Sequence, residues 1–214
     1  MRFMPLLLDV GDKKVIIFGG GKVGARRAKL FSSYSKDVTV LSGELDEKKE
    51  NWGGVKVVHQ RLRETDIESF LSGAQIAVAA TNDPHLNDRI VSKCRELGVM
   101  VNRADVGERD FIVPSILTKG SLTISVSSEG KSPALSRILR EKLEKELGEE
   151  FGLMADLQDD VKSSLEGIDR TKKREILTKI LHDEDVWELL RKSMYDQACG
   201  MCKKRYLDAG EHNL

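Results

Sequence analysis

The chain has 214 residues, 40% of them hydrophobic and 33% charged, which excludes a disordered chain and suits one ordinary core plus a smaller appended unit. Lysine plus arginine and aspartate plus glutamate number 35 each, so the overall charge points to no nucleic acid partner. No apolar run approaches the ~20 residues of a membrane span, and Leu6-Leu7-Leu8 is too brief for a secretory signal, so a cytoplasmic protein with no membrane partner is expected.

In chain order, Lys14-Val15-Ile16-Ile17-Phe18 is a short apolar run ending in glycines, the pattern of a buried parallel strand. A helix follows over Lys22 to Ser32, with Val23, Ala28, Leu30 and Phe31 set among polar residues. Val38-Thr39-Val40-Leu41, Val55-Lys56-Val57-Val58 and Ile76-Ala77-Val78-Ala79-Ala80 read as the next three strands. His85 to Leu97 is helical, Gly98 stops it, and Val99-Met100-Val101 is a fifth strand. This alternation predicts an α/β fold, a Rossmann-type doubly wound parallel sheet, over residues 1–113.

After Pro114 the texture changes. Ser121 to Ser127 alternates strictly, as an antiparallel strand with one buried face does. Pro133 then opens a helix in which Leu135, Ile138, Leu139, Leu143 and Leu147 share one face, with Gly148 as its stop. This strand and helix bury little core alone, so residues 114–148 are read as a dimerisation element of a homodimer. Residues 149–214 read as a helical domain, beginning with the spacing of Phe151, Met154, Leu157, Val161 and Leu165.

The clearest chemical signal is Gly19-Gly20-Gly21-Lys22-Val23-Gly24, a G-x-G-x-x-G that follows a strand and opens a helix. Gly19 permits the tight turn, Gly21 lets backbone approach a pyrophosphate, and Gly24 lets helix pack on strand. The free N–H groups of the helix start favour an anion. Dinucleotide folds place an acidic residue about 20 residues on, at the end of the second strand. Here that place falls at Ser42-Gly43-Glu44, with Glu44 in reach of a ribose hydroxyl and no arginine or lysine directly after the strand. NAD is therefore expected over NADP.

Several segments together resemble the precorrin-2 dehydrogenase domain of sirohaem synthases. They are Pro5 to Asp9, Phe18 to Gly24, Ala79-Ala80-Thr81-Asn82-Asp83, Val101-Asn102-Arg103-Ala104-Asp105, Phe111 to Ser115 and Ser127 to Pro133. The match runs from Met1 to about Leu147, and with no methyltransferase domain following, it is to a stand-alone dehydrogenase. The resemblance implies oxidation of precorrin-2, a tetrapyrrole, by NAD to sirohydrochlorin, with Asp105 as the catalytic carboxylate. It sets Lys22, Val23, Gly43, Glu44 and Thr81 against NAD. It sets Asn102 and the loop carrying Ser128, Lys131 and Ser132 against the substrate, and a homodimer is implied too. Some members also act as ferrochelatases, so a bifunctional dehydrogenase and ferrochelatase is one alternative; a non-catalytic NAD-sensing module is the other. No metal site is expected at Cys199-Gly200-Met201-Cys202, which lacks a second ligand pair and reads as two cysteines filling small core positions.

Overall fold

The computed structural model describes residues 3–43 and 53–207. The chain divides after Val113 into two compact units, Met1–Val113 and Pro114–Leu214.

In the first unit, β1 (Lys14–Phe18), β2 (Asp37–Ser42), β3 (Lys56–His59), β4 (Ile76–Ala79) and β5 (Met100–Arg103) form one parallel sheet in the order β3-β2-β1-β4-β5. The central strands are covered on both faces, so Val15, Ile16, Ile17 and Phe18 are each at most 1% exposed. Alternate residues serve opposite faces. Val15, Ile17, Val40 and Val78 pack with Ala28 and Phe31 of α1 (Lys22–Ser32). Ile16, Phe18, Leu41 and Ala79 pack with Ile67 and Leu71 of α2 (Ile67–Leu71) and Ile90, Val91 and Cys94 of α3 (Pro84–Glu96). Because β1 lies between β2 and β4, the strand order reverses beside its carboxyl end, where open α/β sheets bind ligands. The expected five strands and two helices are present. The short α2, entered through a 3-10 turn over Glu64–Asp66, is an addition; five residues are too few to show a helical period.

In the second unit, β7 (Leu122–Val126) pairs antiparallel with β6 (Ser115–Lys119), a strand the sequence reading leaves unassigned. One edge of the alternating strand is thus taken within the chain rather than left for a partner. The helix α4 (Pro133–Glu146) follows, and its end corrects the expected glycine stop: Leu147 is already extended, and Gly148 is not among the left-handed glycines. Among the described residues four more helices follow: α5 (Glu150–Ser164), α6 (Arg170–Leu181), α7 (Glu184–Arg191) and α8 (Tyr195–Cys202), which continues into a π-helical turn. Met154, Leu157, Val161, Leu165, Ile180, Val186, Leu190 and Cys202 form their core. Cys202 is fully buried, its thiol pushed up to about 11 by that burial. Asp183 caps α7 and accepts bonds from Tyr206 Oη at 2.5 Å and Arg205 Nη1 at 2.6 Å. Arg205, from the basic run Lys203-Lys204-Arg205, is therefore a structural cation. No helix among the described residues is long and apolar enough to cross a membrane.

α5 crosses the β6–β7 turn at backbone contact. Gly120 sits at φ +50° with Gly152 Cα 3.3 Å from where its Cβ would stand, and a Cβ at Gly152 would overlap the Lys119 carbonyl. Gly152→Ala is expected to destabilise the second unit by about 1–3 kcal/mol through overpacking, read as a lower urea midpoint, while Gly200→Ala, in α8 with nothing within 4 Å, holds or raises the midpoint.

Candidate active site

The glycine turn is built by two backbone approaches that only glycine permits. A Cβ at Gly24 would overlap the Gly19 carbonyl oxygen, and one at Gly19 (φ +107°) would overlap the carbonyl of Ala80 and stand 2.9 Å from the Thr81 nitrogen. The ends of β1, α1 and β4 are thereby drawn together. Gly21 differs: nothing lies within 4 Å of its Cβ position. It is the N-cap of α1, where no side chain caps the free N–H groups and no acidic residue occupies the first turn. An uncapped helix start facing open space above a glycine suits the pyrophosphate of a dinucleotide. Lys22 and Val23 are exposed at the same helix start. At the end of β2, Ser42 is 6% exposed, and Gly43 runs close to Arg61, whose Cα would be 3.2 Å from a Cβ there. Glu44 lies outside the described residues.

Asp105 follows β5 on the same carboxyl edge of the sheet, and a tight polar network holds it. Arg103 Nε donates to its Oδ1 at 2.5 Å and Nη2 to Oδ2 at 3.1 Å, while Asn87 Nδ2 donates to Oδ2 at 3.2 Å. The Arg103 hydrogen bonds, aided by that of Asn87, outweigh partial burial and hold the Asp105 carboxyl below the usual carboxylate range. Asn87 is 1% exposed and fully satisfied. Its Oδ1 accepts from the Thr81 nitrogen at 3.1 Å and the Thr81 hydroxyl at 2.8 Å, and Nδ2 also donates to the Thr81 carbonyl. One carboxamide therefore ties Thr81, beside the glycine turn, to Asp105. The loop beyond is pinned in turn: Arg109 Nη2 donates to the Asp105 carbonyl at 2.9 Å, and Asp110 pairs with the Val101 backbone. Asn102 is 2% exposed and donates to the Phe111 carbonyl at 2.9 Å, a strut for this loop, and its buried Oδ1 has no partner among the described residues.

Ser128, Lys131 and Ser132 belong to the second unit. Ser132 caps α4, its Oγ accepting from the Leu135 nitrogen at 3.3 Å, with Pro133 in the first turn. Ser128 Oγ accepts from the Ser132 nitrogen at 2.9 Å and lies 3.2 Å from Ser136 Oγ, while Lys131 is exposed. Glu129 and Gly130 are both left-handed, which bends the loop back onto the helix start.

Asn87, Arg103 and Arg109 escaped the sequence reading. Arg103 carried a signal: an arginine at the end of an otherwise apolar strand is buried only with an anionic partner, and the residue two along points to the same side. Asn87 carried none, since an asparagine in a first helical turn has many uses.

Gly21→Ala is expected to leave folding intact, because its φ of −66° is ordinary and the space is open. The added methyl would occupy the pyrophosphate's approach, so NAD affinity by calorimetry is expected to fall about tenfold or more, or roughly 1.4 kcal/mol.

A family profile described as putative NAD(P)-binding matches residues 6–115, and one described as sirohaem biosynthesis protein central matches residues 119–146. The chain is 34% identical over 205 residues to a precorrin-2 dehydrogenase of Methanosarcina barkeri, covering 92% of this chain and 90% of that one. It is 32% identical over 156 residues to a sirohaem synthase of Nitrosococcus oceani, covering 71% of this chain but only 32% of that longer protein. The solved structure of SirC, a precorrin-2 dehydrogenase, shares the fold with a TM-score of 0.71 at 23% identity, covering 93% of this chain and all of the other. With the glycine turn and the post-β5 carboxylate on one sheet edge, and a relative matched along nine-tenths of its own length, the chain belongs to the precorrin-2 dehydrogenase family.

Proposed function

We propose that this chain oxidises precorrin-2 to sirohydrochlorin with NAD, and that Asp105 is its catalytic carboxylate. The observation that carries the reading is the Asn87 carboxamide, which links the Asp105 carboxylate to Thr81 at the rim of the dinucleotide turn. NAD, when bound, supplies the hydride acceptor. Gly21 and the open start of α1 would hold its pyrophosphate, with Lys22 and Val23 beside it and Ser42, Gly43 and Glu44 toward the ribose. Removing a hydride from a saturated ring position leaves a cation that is neutralised by loss of a proton, and Asp105, ionised by its contact with Arg103, accepts that proton and passes it to water. Val106, 89% exposed next to Asp105, offers an apolar surface for a flat macrocycle. Ser128, Lys131 and Ser132, at the start of α4, would receive the substrate's carboxylates.

The test is anaerobic mixing of protein, precorrin-2 and NAD, following NADH and the sirohydrochlorin spectrum. Asp105→Ala is expected to lower kcat about a hundredfold or more while NAD affinity stays within about twofold, since no cofactor contact is removed. Absence of turnover with NAD or NADP despite tight cofactor binding would sink the reading in favour of a sensor. Product formed without NAD but dependent on metal would indicate a chelatase.

The chain is also proposed to act as a homodimer through α4. Ser136 is the helix's single buried residue, while Leu135, Ile138 and Leu139 are 51%, 46% and 41% exposed, an apolar face that another surface would cover. Sedimentation at micromolar concentration is expected to give a dimer and Ile138→Asp a monomer; a monomeric parent protein would end this part of the proposal.

A further inference from the structure

The contacts around Asp105 are unevenly shared between its two oxygens. A carboxylate offers about four hydrogen-bonding sites. Arg103 Nη2 and Asn87 Nδ2 take both on Oδ2, and Arg103 Nε takes one on Oδ1. We propose that Arg103 and Asn87 are positioning residues for Asp105, orienting it so that Oδ1, which takes a single side-chain bond against two on Oδ2, meets the proton leaving the substrate. The inference rests on the reading of Asp105 as proton acceptor.

The surroundings are shaped to hold Arg103 rather than merely to tolerate it. Its side chain is 6% exposed, its Nη1 is bonded to Asp88 on α3, and its Nη2 also reaches the Pro84 carbonyl. Gly107, at φ +144°, passes so close that a Cβ there would lie 2.5 Å from Arg103 Nη1, so the loop after Asp105 is wrapped around the guanidinium. The two coplanar donors of a guanidinium fix both the direction and the plane of a carboxylate, which a lysine cannot do. The charged groups facing Asp105 are Arg103 from β5, Asp88 from α3 through the same guanidinium, and Arg109 from the loop, bound to the Asp105 carbonyl. Asp88 is far more exposed than Asp105 and draws on a different nitrogen, so it leaves the paired donors to Asp105.

Arg103 also keeps Asp105 an anion into acid, in line with the direction of its shift. A carboxylate with a depressed pKa retains its charge above that pKa and loses it as pH falls through it. Removing Arg103 therefore moves the loss of charge to higher pH.

The experiment combines a carboxyl-carbon NMR titration of Asp105 in the protein without ligands and a pH profile of kcat/KM, for the parent chain, Arg103→Met and Arg103→Lys. Asp105 is expected to titrate below the ordinary aspartate range in the parent chain and about one pH unit or more higher in Arg103→Met, with the acid limb of kcat/KM moving in step. At a fixed pH on that limb the loss is about tenfold. Arg103→Lys, which retains the charge and serves if the methionine variant fails to fold, is expected to move both readouts by less and in the same direction. An arginine that only holds the loop would alter stability and leave the titration unmoved; an unmoved titration in the folded variants would overturn the inference. A moved titration in a protein that does not oxidise precorrin-2 would overturn the functional reading on which it rests.

Discussion

Where β1 turns into α1, backbone lies against backbone with no room for a Cβ, and the rest of the site follows from it. The Gly19 carbonyl fills the place a Gly24 side chain would need, and Gly19 itself lies against the Ala80 carbonyl. Main chain from β1, α1 and β4 meets there with no side chain between. The start of α1 consequently opens at the carboxyl edge of the sheet with its N–H groups uncapped. Those groups need an acceptor, and a diphosphate is the acceptor whose charge and size suit a helix start of this kind. A side chain at Gly19 pushes β1 from the end of β4, one at Gly24 pushes α1 from the turn, and either way the opening above Gly21 loses its floor.

A second constraint holds the neighbouring strands. Beyond β4 and β5 the chain leaves the sheet, and its polar groups there are part-buried, so each must be paired. Asn87 does this for Thr81 and Asp105 together, and Arg103 does it for Asp105, Asp88 and the Pro84 carbonyl. A cation buried as deeply as Arg103 is costly unless its nitrogens are satisfied, and removing one partner of such a set costs more than the pair contributes. The arrangement that satisfies it also leaves a carboxylate oriented and ionised on the ligand-binding edge.

The second unit solves a different problem. Its helices close over an apolar core and are capped in turn by Asp169 and Asp183, whose side chains accept from the first N–H groups of α6 and α7. Burial alone would raise the Asp183 pKa, but bonds from Tyr206 and Arg205 outweigh it and hold the carboxyl low. The hairpin packs against α5 only because Gly120 and Gly152 let the two backbones touch. The apolar residues of α4 are spaced for a core, and among the described residues most find none.

The sequence by itself determined the parallel sheet, the glycine turn and the ordering of the helices. These rest on local rules: unbroken apolar runs for strands covered on both faces, a 3.6-residue period for helices, and glycine where backbone must touch backbone. Asp105 was legible through its resemblance to a family motif, and the Ser132–Pro133 cap through its local chemistry. Short elements such as α2 and β6 were not: five residues are too few for a helical period, and Ser115 to Lys119 neither alternates strictly nor forms an unbroken apolar run. Only the tertiary structure decided what surrounds Asp105. Asn87 and Arg103 stand 18 and 2 residues from it in sequence, and their roles depend on α3 folding back across the ends of β4 and β5. It also decided that Asn102 supports a loop from inside the protein and that Leu135, Ile138 and Leu139 stay exposed. Hydrogen-bond partners and burial are set by which elements meet in space, and a one-dimensional pattern carries that information only where the meeting is local.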